Sequence, residues 1–522
     1  MTDSANQPQW SAKLRNQRET EVLAQVLALK LRAGDVLALH GELGAGKTTF
    51  ARQLIRSVFG TDDLEVPSPT YAIQQVYDAD RLTIRHYDFY RLDSGDDAIE
   101  LGFDDGLSQV VSLIEWPDRA GEVLPSDHVK IEIDDGDDNG GSDEQRRMTL
   151  TSGPEAAARI ARAGEIWAFL DGWTAARGIP IGELAISYLQ GDASARSYAR
   201  IHDGSRTWLL MDSPRQADGP PIRDGRPYSA IAHLAEDIQA FIAIGAELAK
   251  AGLSTPSTER VDPQRGLAII EDFGDAVFGA EIAAGCDLAM LYEAATDVAI
   301  ALREVPVPEI ATAADCRHRL QRYDCDALHI EVELLLDWFI PYVVEGKLDE
   351  PARHAFRDAW QPQFARLQSG PHGWVLRDFH SPNLIRLPQR TGIAAVGLID
   401  YQDAVIGHPA YDLVSLLQDA RLDVPASVED RLLEHYCRTV AVNDGSFDEA
   451  DFRWAYAVLG AQRNTKILGI FARLAHRDGK PQYLRHIPRL SGYLRRGLAH
   501  PQLAEVRSWY LTHLPSVLRD GT

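Results

Sequence analysis

An α/β fold in two successive parts is predicted for this chain, and three observations predict it. A glycine-rich turn, GELGAGKT at residues 41–48, sits between a short apolar run and a helical pattern. A second constellation of acidic residues lies between 374 and 407, again beside short apolar runs. Between them the composition turns acidic and glycine-rich, at residues 134–144. With 522 residues the chain suffices for about three compact units, or two if one is large.

Hydrophobic residues make up 45% of the chain and aromatics 8%, which rules out global disorder and allows a sizeable core. Against 53 Lys and Arg stand 77 Asp and Glu, a formal net charge of −24. That argues against a stand-alone binder of nucleic acid or acidic membrane, since phosphate backbones demand clustered cations. An enzyme using anionic nucleotides is compatible, because a few local cations and backbone amides suffice. The four cysteines, at 286, 316, 325 and 437, show neither CxxC spacing nor an accompanying His cluster. Free thiols in a reducing compartment are expected. MTDSANQPQW has no apolar signal region, and no apolar run is long enough to span a membrane. A cytoplasmic chain is expected.

The elements follow in order. Thr20 to Leu31 has the apolar spacing of a helix. DVLALH (35–40) suits a buried parallel strand, and TIRHYDFY (83–90) and VVSLIEW (110–116) are further strands. VKIEI (129–133) and RRMTLTS (146–152) alternate like strands. The acidic stretch 134–144 between them is a solvated hairpin loop, because it has nothing apolar to bury. The boundary between the parts is expected at residues 153–164, giving a first domain 1–160 and a second 165–522. Residues 185–211 are strand-like with a Gly turn, part of a smaller lobe over 165–275. Ala/Leu-rich helical patterns dominate the larger lobe, 276–522, interrupted at 374–385 and 397–407. No repeat of 20 to 50 residues is visible.

GELGAGKT matches G-x-x-x-x-G-K-[ST] in the strand-then-helix context that this motif requires. The glycines Gly41, Gly44 and Gly46 let backbone N–H groups converge on phosphate oxygens, and the helix N-terminus adds positive potential. Lys47 reaches the β- and γ-phosphates, Thr48 ligates Mg²⁺, and Thr49 opens the helix behind them. Asp88 in HYDFYRL and Glu115 in LIEWPDR each end an apolar strand, where a P-loop ATPase keeps its metal-organising acid. For either acid alone a surface or capping role competes. Thr70, in the rigid VPSPTYAI segment, is a candidate γ-phosphate switch.

GELGAGKTT, SPTY, HYDFYRL and IEWPDR, in this order, resemble the TsaE family, the ATPase subunit of bacterial threonylcarbamoyladenosine synthesis on tRNA. The resemblance covers residues 15–155. It implies nucleotide and Mg²⁺ at Lys47 and Thr48, a switch at Thr70, metal binding at Asp88 and hydrolysis at Glu115. It also implies a protein partner, the carbamoyl-transfer complex, that itself contacts tRNA, so this chain meets tRNA only indirectly.

LRDFHSPN (376–383) spaces Asp378 and Asn383 as D-x-x-x-x-N, as in a kinase catalytic loop. There the Asp accepts the hydroxyl proton and the Asn holds Mg²⁺. Asp400 in VGLIDYQDA follows 17 residues after Asn383, at the place of a second metal-binding acid. A turn or cap is the competing role for each Asp alone. LQGDASARSYARI (189–201) is a single-glycine hairpin over the phosphates, IIEDFGD (269–275) a hinge, and Asp412 more structural than catalytic.

GDASAR, MDSP, RDFHSPN and IDYQDAVIGHPAYDLVSLLQDAR resemble the aminoglycoside phosphotransferase superfamily over residues 165–510, and within it the anomeric sugar kinases called AmgK. The resemblance implies a protein-kinase-like α+β fold and transfer of the ATP γ-phosphate to the C1 hydroxyl of N-acetylmuramate or N-acetylglucosamine. It makes Asp378 the base and Asn383 and Asp400 the metal ligands, with His380 on the substrate side. The lysine usual on the third strand is missing: residues 187–249 contain no Lys, and Met211 stands in its place. Phosphate charge then falls to Mg²⁺ and to Arg196, Arg200 or Arg215, of which Arg196 is the candidate taken. Two alternatives stay open: an aminoglycoside or aminoalcohol acceptor, favoured by an acidic cleft, and a first domain that is mainly a nucleotide-gated binding module.

Overall fold

The computed structural model describes residues 9–135, 145–189 and 196–518. The chain forms two compact units, Met1–Pro214 with Glu259–Asp272, and Arg215–Thr258 with Phe273–Thr522. The first unit holds two sheets. Strands β1 (Gln9–Leu14), β2 (Val36–His40), β3 (Gln74–Asp78), β4 (Thr83–Asp88), β5 (Val111–Glu115), β6 (Val129–Asp135) and β7 (Arg146–Ser152) form a mixed sheet in the order β1-β7-β6-β2-β5-β4-β3. β2 runs parallel to both β5 and β6, and β4 runs parallel to β5. β2 and β5 are the continuous apolar runs, as burial on both faces requires.

Register settles where the acids fall. Glu115 lies opposite Leu39 of β2 on one side and opposite Asp88 of β4 on the other. Both carboxylates therefore emerge at the same sheet edge at which β2 feeds the glycine-rich turn and helix α2 (Lys47–Phe59). β6 and β7 form the antiparallel hairpin expected of VKIEI and RRMTLTS. Most of its acidic connection, residues 136–144, lies outside the described residues.

The second sheet of this unit is antiparallel. β8 (Ala185–Leu189), β9 (Ser197–His202), β10 (Thr207–Asp212), β11 (Thr258–Asp262) and β12 (Leu267–Glu271) pair in the order β11-β12-β10-β9-β8. The helices α1 (Gln17–Ala28) and α3 (Pro154–Ala176) cover one of its faces. Val22, Val26, Leu170 and Trp173 from these helices share one buried cluster with Ile186, Ile201, Trp208, Leu210 and Ile269 of the sheet. Trp173 and Trp208 meet edge to face at 6.2 Å.

The junction expected at 153–164 falls inside α3, which runs 23 residues without a break. Gly153 and Gly164 are packing glycines here. A Cβ on Gly164 would stand 3.0 Å from the Trp10 ring, so the glycine lets β1 approach the helix backbone. β1 itself precedes the first element that the sequence pattern predicts.

The second unit is mainly helical. Two small ribbons frame Asp378, Asn383 and Asp400, which lie in their connections: β13 (Gly373–Val375) pairs with β16 (Val405–Gly407), and β14 (Leu384–Arg386) with β15 (Val396–Leu398). Around them pack α4 (Ile238–Lys250), α5 (Cys325–Val332), α6 (Ala410–Leu417) and α7 (Glu449–His476). Tyr401 stacks on Phe241 of α4 at 4.8 Å, and Gly245 leaves room for its hydroxyl, which a Cβ would approach to 2.3 Å. The four cysteines are free thiols. Among the described residues no helix is long and apolar enough to cross a membrane.

Asp212, 4% exposed at the end of β10, binds Arg162 of α3 at 2.6 Å and pairs with Lys30. Its carboxyl is held below its ordinary range by those cations, against the opposing effect of burial. Removing one partner of a buried pair strands the others, so Asp212→Asn is expected to destabilise this unit by about 3 kcal/mol. Asp171→Asn breaks an exposed pair with Arg15, which spans 3.4 Å, and should cost under about 1 kcal/mol. Urea unfolding of the two variants at neutral pH checks the contrast.

Candidate functional sites

The glycine-rich turn closes over an open cradle. Gly41, Gly44 and Gly46 all have positive φ, at 148°, 87° and 105°. A Cβ on Gly41 would stand 2.6 Å from the Ile133 carbonyl, whereas nothing approaches Gly44 or Gly46. Their backbone faces open space, which suits phosphate oxygens. Lys47 is buried, donates to the carbonyls of Gly41 (2.8 Å) and Glu42 (3.0 Å), and lies 3.7 Å from the Trp116 ring centroid. Burial lowers its pKa, opposed by Glu115 and Asp88. Thr48 donates to Glu115 Oε2 at 2.8 Å, and Thr49 is half-buried one position on.

Asp88 accepts from Thr70 and from Ser68, both at 2.9 Å. The structure thus brings Thr48 to Glu115, and Thr70 to Asp88, across neighbouring strand ends. Sequence reading missed His86. It is fully buried, 3.0 Å from Glu115 Oε1, and precedes Asp88 by two positions on the same strand face. That alternation was the available signal. Hydroxyl and carboxylate oxygens beside an open amide cradle fit a nucleoside triphosphate with Mg²⁺, which takes one or two carboxylates plus phosphate oxygens.

In the second unit, Asp378 follows Arg377, whose φ of 68° is left-handed. A non-glycine residue keeps that conformation only when its surroundings enforce it. Asp412 of α6 accepts the Leu376 and Arg377 N–H groups at 2.7 and 3.0 Å. Arg377 donates to the Ala232 carbonyl at 2.7 Å and pairs with Glu331. Asn383 donates to the Asp378 carbonyl at 3.0 Å and lies 3.4 Å from Asp400 Oδ2. Asp400 has a left-handed φ of 60° and takes a bond from Gln402 at 3.0 Å. Asp378, Asn383 and Asp400 are thereby gathered, and Asp378 keeps 43% of its side chain exposed. The Asn383 and Asp400 oxygens are donors of the type Mg²⁺ selects.

His380 is half-buried 3.9 Å from Asp378, with its pKa lowered by desolvation, and both line a cavity of about 130 Å³. Arg196 is half-buried just before β9; the hairpin glycine ahead of it lies outside the described residues. Met211 is wholly buried in β10. Arg200 of β9 binds Asp272 at 2.6 Å.

The family model described as threonylcarbamoyl adenosine biosynthesis protein TsaE matches residues 14–147, and the phosphotransferase enzyme family model matches residues 185–452. An N-acetylmuramate/N-acetylglucosamine kinase of Caulobacter vibrioides is 37% identical over 377 residues, 70% of this chain and 99% of the relative. The kinase of the same name from Pseudomonas aeruginosa is 30% identical, over 60% of this chain and 84% of its own. A tRNA threonylcarbamoyladenosine biosynthesis protein TsaE of Rickettsia felis is 38% identical over 126 residues, 24% of this chain and 73% of its own. The chain belongs to both families. The TsaE part carries the glycine-rich turn with Asp88 and Glu115, and the phosphotransferase part carries Asp378, Asn383 and Asp400. Both families use ATP, typically with Mg²⁺.

Asp412 supplies a pH test of how the phosphotransferase loop is held. Full burial pushes its carboxyl up from 3.8 to about 7, opposed by the two backbone N–H bonds. The folded state then binds this proton more tightly than the unfolded state. Its stabilising contribution is complete below 3.8 and is lost as pH rises through about 7. Relative to Asp412→Asn, which does not titrate, the wild-type urea midpoint should fall between pH 5 and pH 7 and level off above.

Proposed function

We propose that the chain is a bifunctional ATP-using protein. Its TsaE part hydrolyses ATP in support of threonylcarbamoyladenosine modification of tRNA, in complex with threonylcarbamoyl-transfer proteins and without holding tRNA itself. Its phosphotransferase part phosphorylates the anomeric hydroxyl of N-acetylmuramate or N-acetylglucosamine salvaged from the cell wall. Both activities belong in the cytoplasm, where ATP and tRNA are available.

The observation that carries the kinase reading is the cavity beside Asp378. Four basic side chains, Arg377, Arg421, Arg463 and Lys466, line it against two acidic ones, Asp378 and Asp419. A polycationic aminoglycoside or an aminoalcohol meets like charge there, whereas a neutral or anionic sugar does not. Asp378 accepts the proton of the C1 hydroxyl as its oxygen forms a bond to the γ-phosphorus and the bond to the departing ADP oxygen breaks. Mg²⁺, when bound at Asn383 and Asp400, offsets phosphate charge. In the TsaE part, Glu115 is the group that activates or places water, and Thr70 reports the γ-phosphate through Asp88. The domain division 1–160 and 165–522 remains the functional one, with the helix spanning 154–176 common to both.

Phosphorus NMR of the chain incubated with ATP and either sugar tests this reading. A C1 phosphate is expected, formed at least about 100-fold more slowly by Asp378→Asn, the usual loss for a general base. Lys47→Ala should abolish hydrolysis by the TsaE part and leave sugar phosphorylation intact. Turnover of an aminoglycoside but of neither sugar would overturn the acceptor assignment. Hydrolysis that stays slow and indifferent to the transfer proteins would make the TsaE part a nucleotide-gated binding module.

A further inference from the structure

The basic residues around the Asp378 cavity are not equivalent. Arg377 and Lys466 share the Glu331 carboxylate, which is wholly buried between them. Asp419 is taken up by Ser381, whose hydroxyl donates at 2.6 Å, and by the Arg421 N–H at 2.8 Å. Arg463 stands apart. It projects from α7, is 4% exposed, and lines the same cavity as Asp378. Its Nη1 is buried and has no hydrogen-bond partner among the described residues.

A buried guanidinium N–H without an acceptor is costly, and folded chains normally pair it. Arg162 and Arg377 are paired with Asp212 and Glu331. Arg177 and Arg303 also have an Nη1 without a hydrogen bond, but each holds an acid, Asp203 and Asp444, whereas among the described residues no acid forms an ion pair with Arg463. An unmet donor on a buried cation that lines the cavity of the candidate base is the pattern of a site that completes itself on its ligand. The missing acceptor has to be an anion or a strong oxygen acceptor, and a carboxylate matches the guanidinium fork best.

We propose that Arg463 is the specificity-determining residue of the acceptor site: it binds the lactyl carboxylate of N-acetylmuramate while Asp378 faces the C1 hydroxyl. This rests on the sugar-kinase reading above. N-acetylglucosamine has no carboxylate, so it binds the same cavity without this contact. The chain is thus built for the acidic sugar, and the neutral one is the weaker acceptor.

Steady-state kinetics with N-acetylmuramate, its methyl ester and N-acetylglucosamine decide the matter, on the full chain and on R463M and R463K. R463M is expected to raise KM for N-acetylmuramate about 10- to 100-fold, the range for one hydrogen bond to a charged group. Its kcat, its KM for ATP and its KM for N-acetylglucosamine should stay as in the wild type. R463K should recover part of the loss. The wild type should prefer N-acetylmuramate to its methyl ester by a similar factor, and R463M should lose that preference. Parallel loss with both sugars, or an unchanged ratio between them, would overturn the assignment while leaving the kinase reading standing. If R463M does not fold, equal KM values of the wild type for acid and ester overturn it. Turnover of neither sugar by the wild type removes the kinase reading and this assignment together.

Discussion

The Glu331 carboxylate is the interaction on which the phosphotransferase site depends. It has no solvent exposure, and its pKa is drawn down to about 2 by Lys466 and Arg377, against the desolvation that opposes ionisation. It pairs with Arg377 and takes bonds from Lys466 and Gln462 at 2.8 and 2.9 Å. One carboxylate on α5 therefore fixes the residue that precedes Asp378 and two residues of α7. Arg377 precedes Asp378 in a left-handed conformation, so this anchor, with the two N–H bonds to Asp412, sets the direction in which Asp378 leaves the loop. Breaking such a buried network removes more than one contact, because each remaining charge is left unpaired in a medium that cannot solvate it.

The TsaE part reaches a comparable result by register instead of by buried ion pairs. Parallel pairing sets Asp88 opposite Glu115 and Glu115 opposite Leu39, and the strand ends deliver both acids to the glycine-rich turn. The hydroxyls of Thr48 and Thr70 then tie the helix start and the 66–73 segment to those two carboxylates. Backbone geometry does most of the positioning, which explains why the motif residues lie on short local strings. Helix packing positions the phosphotransferase site, so several of its residues come from distant segments.

That difference governs what could be read from the sequence. The glycine-rich turn, the D-x-x-x-x-N spacing and the strand-end acids are local patterns, each contained in a string of a few residues. Arg463 and Glu331 carry no local pattern: their meaning comes from a cavity lined by residues between 377 and 471 and from ion pairs that join residues 46 and 135 positions apart. His86 was within reach through its alternation with Asp88. β1 was hidden because a half-exposed edge strand shows little apolar signal over six residues. The glycines at 153 and 164 resemble linker punctuation, yet they sit there because Asp127 and Trp10 press against the backbone.

The shared helix spanning 154–176 changes what the fusion means physically. Ile186, Ile201, Trp208, Leu210 and Ile269 bury one face of the five-stranded sheet in the same cluster as α1 and α3. At about 1.5 to 3 kcal/mol for each large apolar side chain, that face represents roughly 10 kcal/mol of burial, comparable to the whole stability of a domain. Asp212 adds a charged tie, since Lys30 precedes β2 and Arg162 belongs to α3. Two families that share no intermediate are therefore joined through a common core and not by a passive tether. The glycine-rich turn and Asp378 belong to different compact units. The folding of the TsaE sheet and of the five-stranded sheet is not separate, and a substitution in α1 or α3 acts on both.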